Sequence, residues 1–93
     1  MAVKWSRRAL SSLAGIAEYI EQDNPTRAKT FVEEIRQKSD LLERFPTIGR
    51  AGRVIGTREL VAHKNYLLVY RVRGDDVQIL EVMHTSRKFP KTL

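Results

Sequence analysis

The hydrophobic period of this chain changes partway along it, and this change restricts the available folds more than any other feature. Before Pro46 the apolar residues recur every three or four positions, as on one face of an α-helix. After Gly56 they fall in short runs rich in β-branched and aromatic side chains, as in β-strands. A chain of 93 residues builds a single core. We therefore predict one α+β domain spanning residues 1–93.

Two amphipathic helices are predicted in the first half. Ser6 is placed to cap the first helix, because its hydroxyl can accept from backbone N–H groups of the next turn. Asn24 and Pro25 end that helix and open the second, since a proline at the first helical position loses only an N–H that has no partner there. Pro46 closes the second helix. The two apolar stripes comprise Ala9, Leu10, Leu13, Ile16, Ala17 and Ile20, then Ala28, Phe31, Val32, Ile35, Leu42 and Phe45.

The strands are predicted at residues 2–5 and at about 57–62, 66–72 and 77–83. Short turns at residues 63–65 and 73–76 suit antiparallel hairpins. The order is then β-α-α-β-β-β. Because two amphipathic helices cannot bury their stripes alone, we expect the helical hairpin to pack on one face of a small, mainly antiparallel twisted sheet. The other face is expected to carry the basic residues.

The charge balance indicates an anionic partner. The chain has a net charge of +6, and residues 47–93 carry nine basic and four acidic side chains. Nucleic acid and an acidic protein both fit. The absence of cysteine excludes disulfides and thiolate metal sites and suits a reducing cytoplasm. No apolar run approaches the roughly 20 residues of a membrane span, so we expect a cytoplasmic protein without a membrane partner.

Metal and cofactor sites are not predicted. The two histidines, His63 and His84, lie in different segments without the carboxylate spacing that favours chelation. The chain has no nucleophile elbow, no phosphate-binding P-loop and no dinucleotide fingerprint. We therefore expect no metal ion and no small-molecule cofactor.

A basic and protonatable set remains in the second half. Arginine can neutralise a phosphate, and histidine can exchange a proton near neutral pH, so the set contains the parts that metal-free RNA cleavage needs. The alternative is a solvated basic face, in which Arg58 pairs with a carboxylate such as Glu81 and His84 hydrogen-bonds to a turn. The set comprises Arg50, Arg53, Arg58, Arg71, His84, Arg87 and Lys88.

Five motifs in consistent order resemble the RelE/ParE superfamily of type II toxin–antitoxin toxins. They are WSRRA at residues 5–9, FPTIGR at 45–50, GTREL at 56–60, YLLVYRV at 66–72 and VMHTSRKFP at 82–90. The resemblance covers nearly the whole chain. It implies a small bacterial toxin that halts growth and is neutralised by an antitoxin wrapped around its surface.

Two activities occur in that superfamily. RelE-like members cleave mRNA on the ribosome and commonly carry an arginine where this chain has Leu67. They also tend to have a lysine-rich active face or a tyrosine or histidine pair near the C-terminus. ParE-like members inhibit DNA gyrase, and this chain resembles them more closely. The resemblance thus implies a gyrase-binding toxin of a plasmid-stabilisation system. A ribosome-dependent mRNA endonuclease is the alternative, and an inactive antitoxin-binding relic is a third.

Each interpretation assigns residues. For a gyrase inhibitor the target-binding residues are Arg50, Arg53, Arg58, Arg71, Arg87 and Lys88. For a nuclease, Arg58 or Arg71 stabilises the phosphorane and His84 is the general acid or base, with Arg87 completing the catalytic set.

The antitoxin is expected on apolar surface left exposed around the helical hairpin. Phe31 and Val32 are adjacent on one helix and so point about 100° apart, which makes the apolar arc wider than one sheet contact requires. On this basis Phe31→Asp or Val32→Asp is expected to weaken neutralisation by the antitoxin while the free toxin stays folded. The predicted antitoxin-binding residues are Leu13, Ile20, Phe31, Val32 and Ile35.

Overall fold

The computed structural model describes residues 1–86, so the predicted site residues Arg87 and Lys88 lie outside the described residues. The predicted order of helices and strands is confirmed. One two-residue strand is added, which the sequence did not reveal because two residues carry no period. The elements are β1 (Ala2–Trp5), α1 (Arg7–Asp23), α2 (Pro25–Arg44), β2 (Arg50–Ala51), β3 (Arg58–His63), β4 (Tyr66–Arg73) and β5 (Asp76–His84).

The ends of the two helices are fixed by local capping hydrogen bonds. The Ser6 hydroxyl accepts from the backbone N–H of Ala9 at 3.0 Å. Asn24 serves both helices, because its N–H donates to the Ile20 carbonyl at 2.9 Å and its side chain accepts from the Arg27 N–H at 3.0 Å. Pro25 is the first residue of α2. These contacts are the ones that the sequence predicts at those positions.

The sheet has the strand order β1-β5-β4-β3-β2. The first strand pairs with the last in parallel, and the other neighbours are antiparallel. At the junction of β1 and α1, the Ser6 N–H donates to the Ile79 carbonyl at 3.0 Å. The register between β4 and β5 shifts at Val69 and Tyr70. In residues 1–86, neither helix is long and apolar enough to cross a membrane.

Both helices pack against the same face of the sheet, as predicted. The core joins them to alternate residues of the central strands, including Leu68 and Tyr70 of β4. The core comprises Ala9 and Leu13 of α1, Phe31, Ile35 and Leu42 of α2, and Ala62, Leu68, Tyr70, Val77, Ile79 and Val82 of the sheet.

The opposite face of the sheet is apolar at its centre, where we expected basic residues. Leu67 and Val69 alternate with the core residues of β4 and so project from the other face, where both are fully buried. Leu67 lies directly between Val61 of β3 and Met83 of β5. The near-continuous apolar run at residues 66–70 is typical of a strand buried on both faces, and it accounts for this difference.

Candidate functional site

The segment that connects α2 to β3 contains two of the predicted target-binding arginines, and a buried phenol anchors its first half. The Tyr70 hydroxyl donates to the Pro46 carbonyl at 2.8 Å and accepts from the Gly49 N–H at 2.9 Å. A Cβ at Gly49 would lie 2.7 Å from that hydroxyl oxygen, so the close approach requires glycine. Burial raises the pKa of Tyr70, which keeps the phenol protonated as a donor.

Arg58 braces the same segment. Its guanidinium donates to the Gly49 carbonyl at 2.9 Å and to the Thr47 carbonyl at 3.3 Å. The predicted pairing with Glu81 is wrong, because Arg58 is on β3 and Glu81 is on β5, with β4 between them. Glu81 instead accepts from Arg8 of α1 at 2.8 Å. Two hydrogen bonds from the Arg58 guanidinium therefore serve backbone carbonyls of this segment.

A buried carboxylate holds the second half of the segment. The Glu59 side chain is almost fully buried and accepts from the Arg53 backbone N–H at 2.9 Å. The Arg50 guanidinium pairs with the same carboxylate at 3.1 Å, and Arg53 Nε lies 3.9 Å from it. Both arginine side chains remain more than half exposed. Glu59 thus fixes the backbone while leaving cationic groups at the surface.

The two remaining predicted residues lie on β4 and β5. Arg71 donates through Nε to the Gln78 side chain at 2.6 Å. His84 Nδ1 accepts from the Ser86 N–H at 3.1 Å, so His84 does hydrogen-bond to a turn, as one alternative predicted. The imidazole also packs edge-on against Tyr66, with ring centroids 5.2 Å apart.

The three described residues of the nuclease interpretation do not converge. His84 lies opposite Tyr66, and Arg71 lies five residues further along β4. At about 3.4 Å per residue, Arg71 and His84 are about 17 Å apart along the strand direction. The odd number of residues places their side chains on opposite faces of the sheet. Arg58 lies opposite Tyr70, about 13 Å from the level of His84 along the strand direction, and β4 separates their two strands. A general acid and a phosphate ligand must reach one substrate at hydrogen-bond distance. Residues 1–86 do not present that arrangement.

A groove lies between α1 and α2 and extends to Trp5 at the end of β1. It consists of two cavities of about 340 and 310 Å³ that share Val32. Val32 and Leu13 were predicted to face the antitoxin, and both line this groove. The lining is Trp5, Leu10, Leu13, Val32 and Arg36 in one cavity and Ala17, Glu21, Pro25, Ala28, Lys29 and Val32 in the other.

Other residues assigned to the antitoxin surface face inward. Phe31 is 1% exposed and Ile35 is 0% exposed, so the expectation that they lie on an exposed surface is wrong. Adjacent helical positions point about 100° apart, and this angle directs Phe31 to the sheet and Val32 to the groove. Ile20 is partly buried against the core and does not line either cavity.

One polar cluster joins α2 to the end of β3 and was not predicted. Arg27 pairs with Glu34 at 3.1 Å, and its Nη2 lies 2.8 Å from His63 Nε2. The hydrogen bond from Arg27 lowers the pKa of Glu34 below its ordinary value of 4.5. Within residues 1–86, His63 Nδ1 is buried without a partner. The seven-residue spacing of Arg27 and Glu34 on one helix face was the available signal.

The sequence profile described as "ParE toxin of type II toxin-antitoxin system, parDE" matches residues 3–89. The chain belongs to the ParE toxin family. It is 42% identical over 92 residues to the protein Y4kP of Sinorhizobium fredii, covering 98% of this chain and 95% of that protein. It is 33% identical over 85 residues to toxin RelE2 of Caulobacter vibrioides, covering 91% and 96%.

Solved structures agree with this assignment. A chain of the chromosomal ParDE toxin–antitoxin system from P. aeruginosa is 27% identical, with a TM-score of 0.85 over 92% of this chain and 97% of that one. The YoeB/ParE toxin from Agrobacterium tumefaciens, at 17% identity, covers 90% of this chain and 98% of that one with a TM-score of 0.63, and it shares the fold alone. This ParE-family chain is therefore a toxin of a type II toxin–antitoxin system, and its family implies a cognate antitoxin as partner.

Proposed function

We propose that this ParE-family toxin arrests growth by binding DNA gyrase in the cytoplasm, as a protein-binding inhibitor and not as a nuclease. The separation of Arg58, Arg71 and His84 is the observation that carries the proposal. Arg58 is also engaged by two loop carbonyls. An inhibitor that acts by binding needs no convergent acid, base and phosphate ligand. The ParDE structure at 27% identity supports the same choice.

The antitoxin belongs, in this proposal, in the groove between α1 and α2. Leu13 and Val32 give the groove an apolar floor, and Lys29 and Arg36 supply cations at its border. An amphipathic helix with apolar residues on one face and acidic residues beside them matches this surface. The partner is thus expected to be acidic where the toxin is basic.

A ribosome-dependent mRNA endonuclease is the second candidate. The relative named toxin RelE2, at 33% identity, favours it. In that function His84 is the general acid or base, and Arg58 or Arg71 would have to move to reach the same phosphate.

The deciding experiment compares the wild type with His84→Gln in cells and with purified gyrase. We expect the wild type to inhibit DNA supercoiling by gyrase and to leave the 5′ ends of mRNA unchanged. His84→Gln is expected to arrest growth as strongly as the wild type. Ser86→Ala serves as control, because it removes the contact of the Ser86 hydroxyl with Nδ1 but keeps the imidazole. A nuclease would instead generate new mRNA 5′ ends, and His84→Gln would lower its cleavage rate on the order of 10² to 10⁴ fold.

A further inference from the structure

The segment between α2 and β3, residues 45–57, includes the short strand β2 and is called the braced loop below; it combines cationic and exposed apolar side chains. From residue 45 to residue 58 the chain contains three arginines and no aspartate or glutamate. Ile55 is 100% exposed and Ile48 is 47% exposed. Phe45, at the C-cap of α2, is also exposed. This surface is separate from the antitoxin groove, whose lining includes none of these residues.

The braced loop is held along its length. Tyr70 and Arg58 bind its first half, and Glu59 binds its middle, as described above. At the tip, Thr57 donates to the Val54 carbonyl through its N–H at 3.1 Å and its hydroxyl at 2.6 Å. Gly56 has φ +84°, which closes the turn and directs no side chain into it.

Rigid presentation of an apolar side chain favours binding. A fully exposed isoleucine gains nothing from the fold of its own chain, but it contributes when it enters a pocket on another protein. Because the braced loop is already ordered, docking loses less conformational entropy than it would with a flexible loop. The arginines beside it add attraction to carboxylates and accelerate encounter.

We propose that the braced loop is the surface through which this toxin docks on its protein target, and that the target presents an apolar pocket bordered by carboxylates. A protein is favoured over RNA because aliphatic isoleucines neither stack on bases nor contact phosphates. The charge complementarity follows from the lack of any carboxylate in the loop, since the neighbouring Glu59 is buried and paired. The inference rests on the proposed function only where it takes gyrase as that target.

The test is the double variant Ile48→Ser/Ile55→Ser. We expect it to need on the order of tenfold more toxin for half-maximal growth arrest, and to bind immobilised purified gyrase with a similarly reduced affinity. Ile55→Ser alone, at a fully exposed position, is expected to keep the wild-type unfolding temperature and to show part of the loss. Tyr19→Ser, at an exposed position of α1 that lies outside both the loop and the groove, is the matched control and should arrest growth as the wild type does.

Three outcomes separate the alternatives. Undiminished growth arrest by the double variant would overturn the inference. The inference would also be overturned if Arg50→Gln lost growth arrest while the isoleucine variants kept it. That pattern would indicate a surface that binds nucleic acid. If the wild-type toxin left gyrase unaffected, only the proposal of gyrase as target would be refuted. Loss of growth arrest in the isoleucine variants would still support the braced loop as the docking surface.

Discussion

The Tyr70 hydroxyl links the sheet to the loop that precedes it, and a single-atom change tests this link. Tyr70→Phe leaves the Pro46 carbonyl and the Gly49 N–H without their partner. We expect the free energy of unfolding to fall by about 1–3 kcal/mol, as for other buried polar groups left unpaired. Urea denaturation measures this loss.

Tyr66→Phe is the matched control, because the Tyr66 hydroxyl makes no hydrogen bond within the part of the chain that the structure describes. An equal loss in both variants would contradict the role of the Tyr70 hydroxyl. Because burial raises the pKa of Tyr70, the unfolded state releases this proton first as pH rises. The Tyr70 contribution is therefore present below about pH 10 and declines above it.

Glu34 makes one part of the stability depend on acid pH. Its pKa is lowered below 4.5 by the hydrogen bond from Arg27, so the folded state binds fewer protons than the unfolded state near that pH. The contribution is thus complete above pH 4.5 and is lost as pH falls through the lower, folded-state value. We expect Glu34→Gln to destabilise the protein at pH 7 by less than about 1 kcal/mol, since the pair is partly exposed.

Acid titration of stability checks this prediction. The difference between the wild type and Glu34→Gln should shrink as the pH falls below 4.5. Glu33→Gln, at the exposed neighbouring position on α2, is the control and is expected to show no such pH-dependent difference from the wild type below pH 4.5. A constant difference across the acid range would refute the assignment.

At the scale of elements, the pairing of α1 with α2 makes the groove that we propose for the antitoxin, and one exposed residue on its border tests this proposal. Leu10 lines the groove and is exposed, so Leu10→Asp is expected to preserve the fold while weakening antitoxin binding about tenfold or more. Tyr19→Asp is the control, because Tyr19 is exposed on the same helix but does not line either cavity. Titration calorimetry with the cognate antitoxin measures both.

Equal affinity of the two variants for the antitoxin would place the partner elsewhere on the toxin.

The same helices also show where prediction from sequence succeeds. Ser6, Asn24 and Pro25 mark the helix ends correctly because capping acts over three or four residues.

At the scale of the whole molecule, the protein depends on one core, and Phe31 is among its largest buried side chains. Phe31→Asp should therefore unfold the free toxin, contrary to the expectation from the sequence. Loss of the ring from a core costs about 3–5 kcal/mol, and a buried carboxylate adds to it, against a total stability of about 5–15 kcal/mol. Circular dichroism of the purified variant checks this, and a native spectrum would contradict it.

The candidate site was less predictable than the fold. The sequence indicated which basic residues to consider, but not that Arg58 binds loop carbonyls or that Glu59 anchors the backbone of Arg53. These partners depend on the pairing of β2 with β3, and β2 has only two residues. The Arg27 and His63 contact joins positions 36 residues apart, for which local patterns carry little signal.

The sequence by itself determined the helix ends, the order of the predicted helices and strands along the chain, and the family. The helix ends and the element order follow from hydrophobic periodicity and capping, which depend on residues close together in the chain. The family follows from short sequence motifs. Only the tertiary structure decided that Phe31 faces the core and Val32 the groove, and that Arg71 and His84 lie far apart on the sheet. The reason is geometric, because a strand's register and a helix's rotation are set by the elements that pack against them, and these elements come from distant parts of the chain.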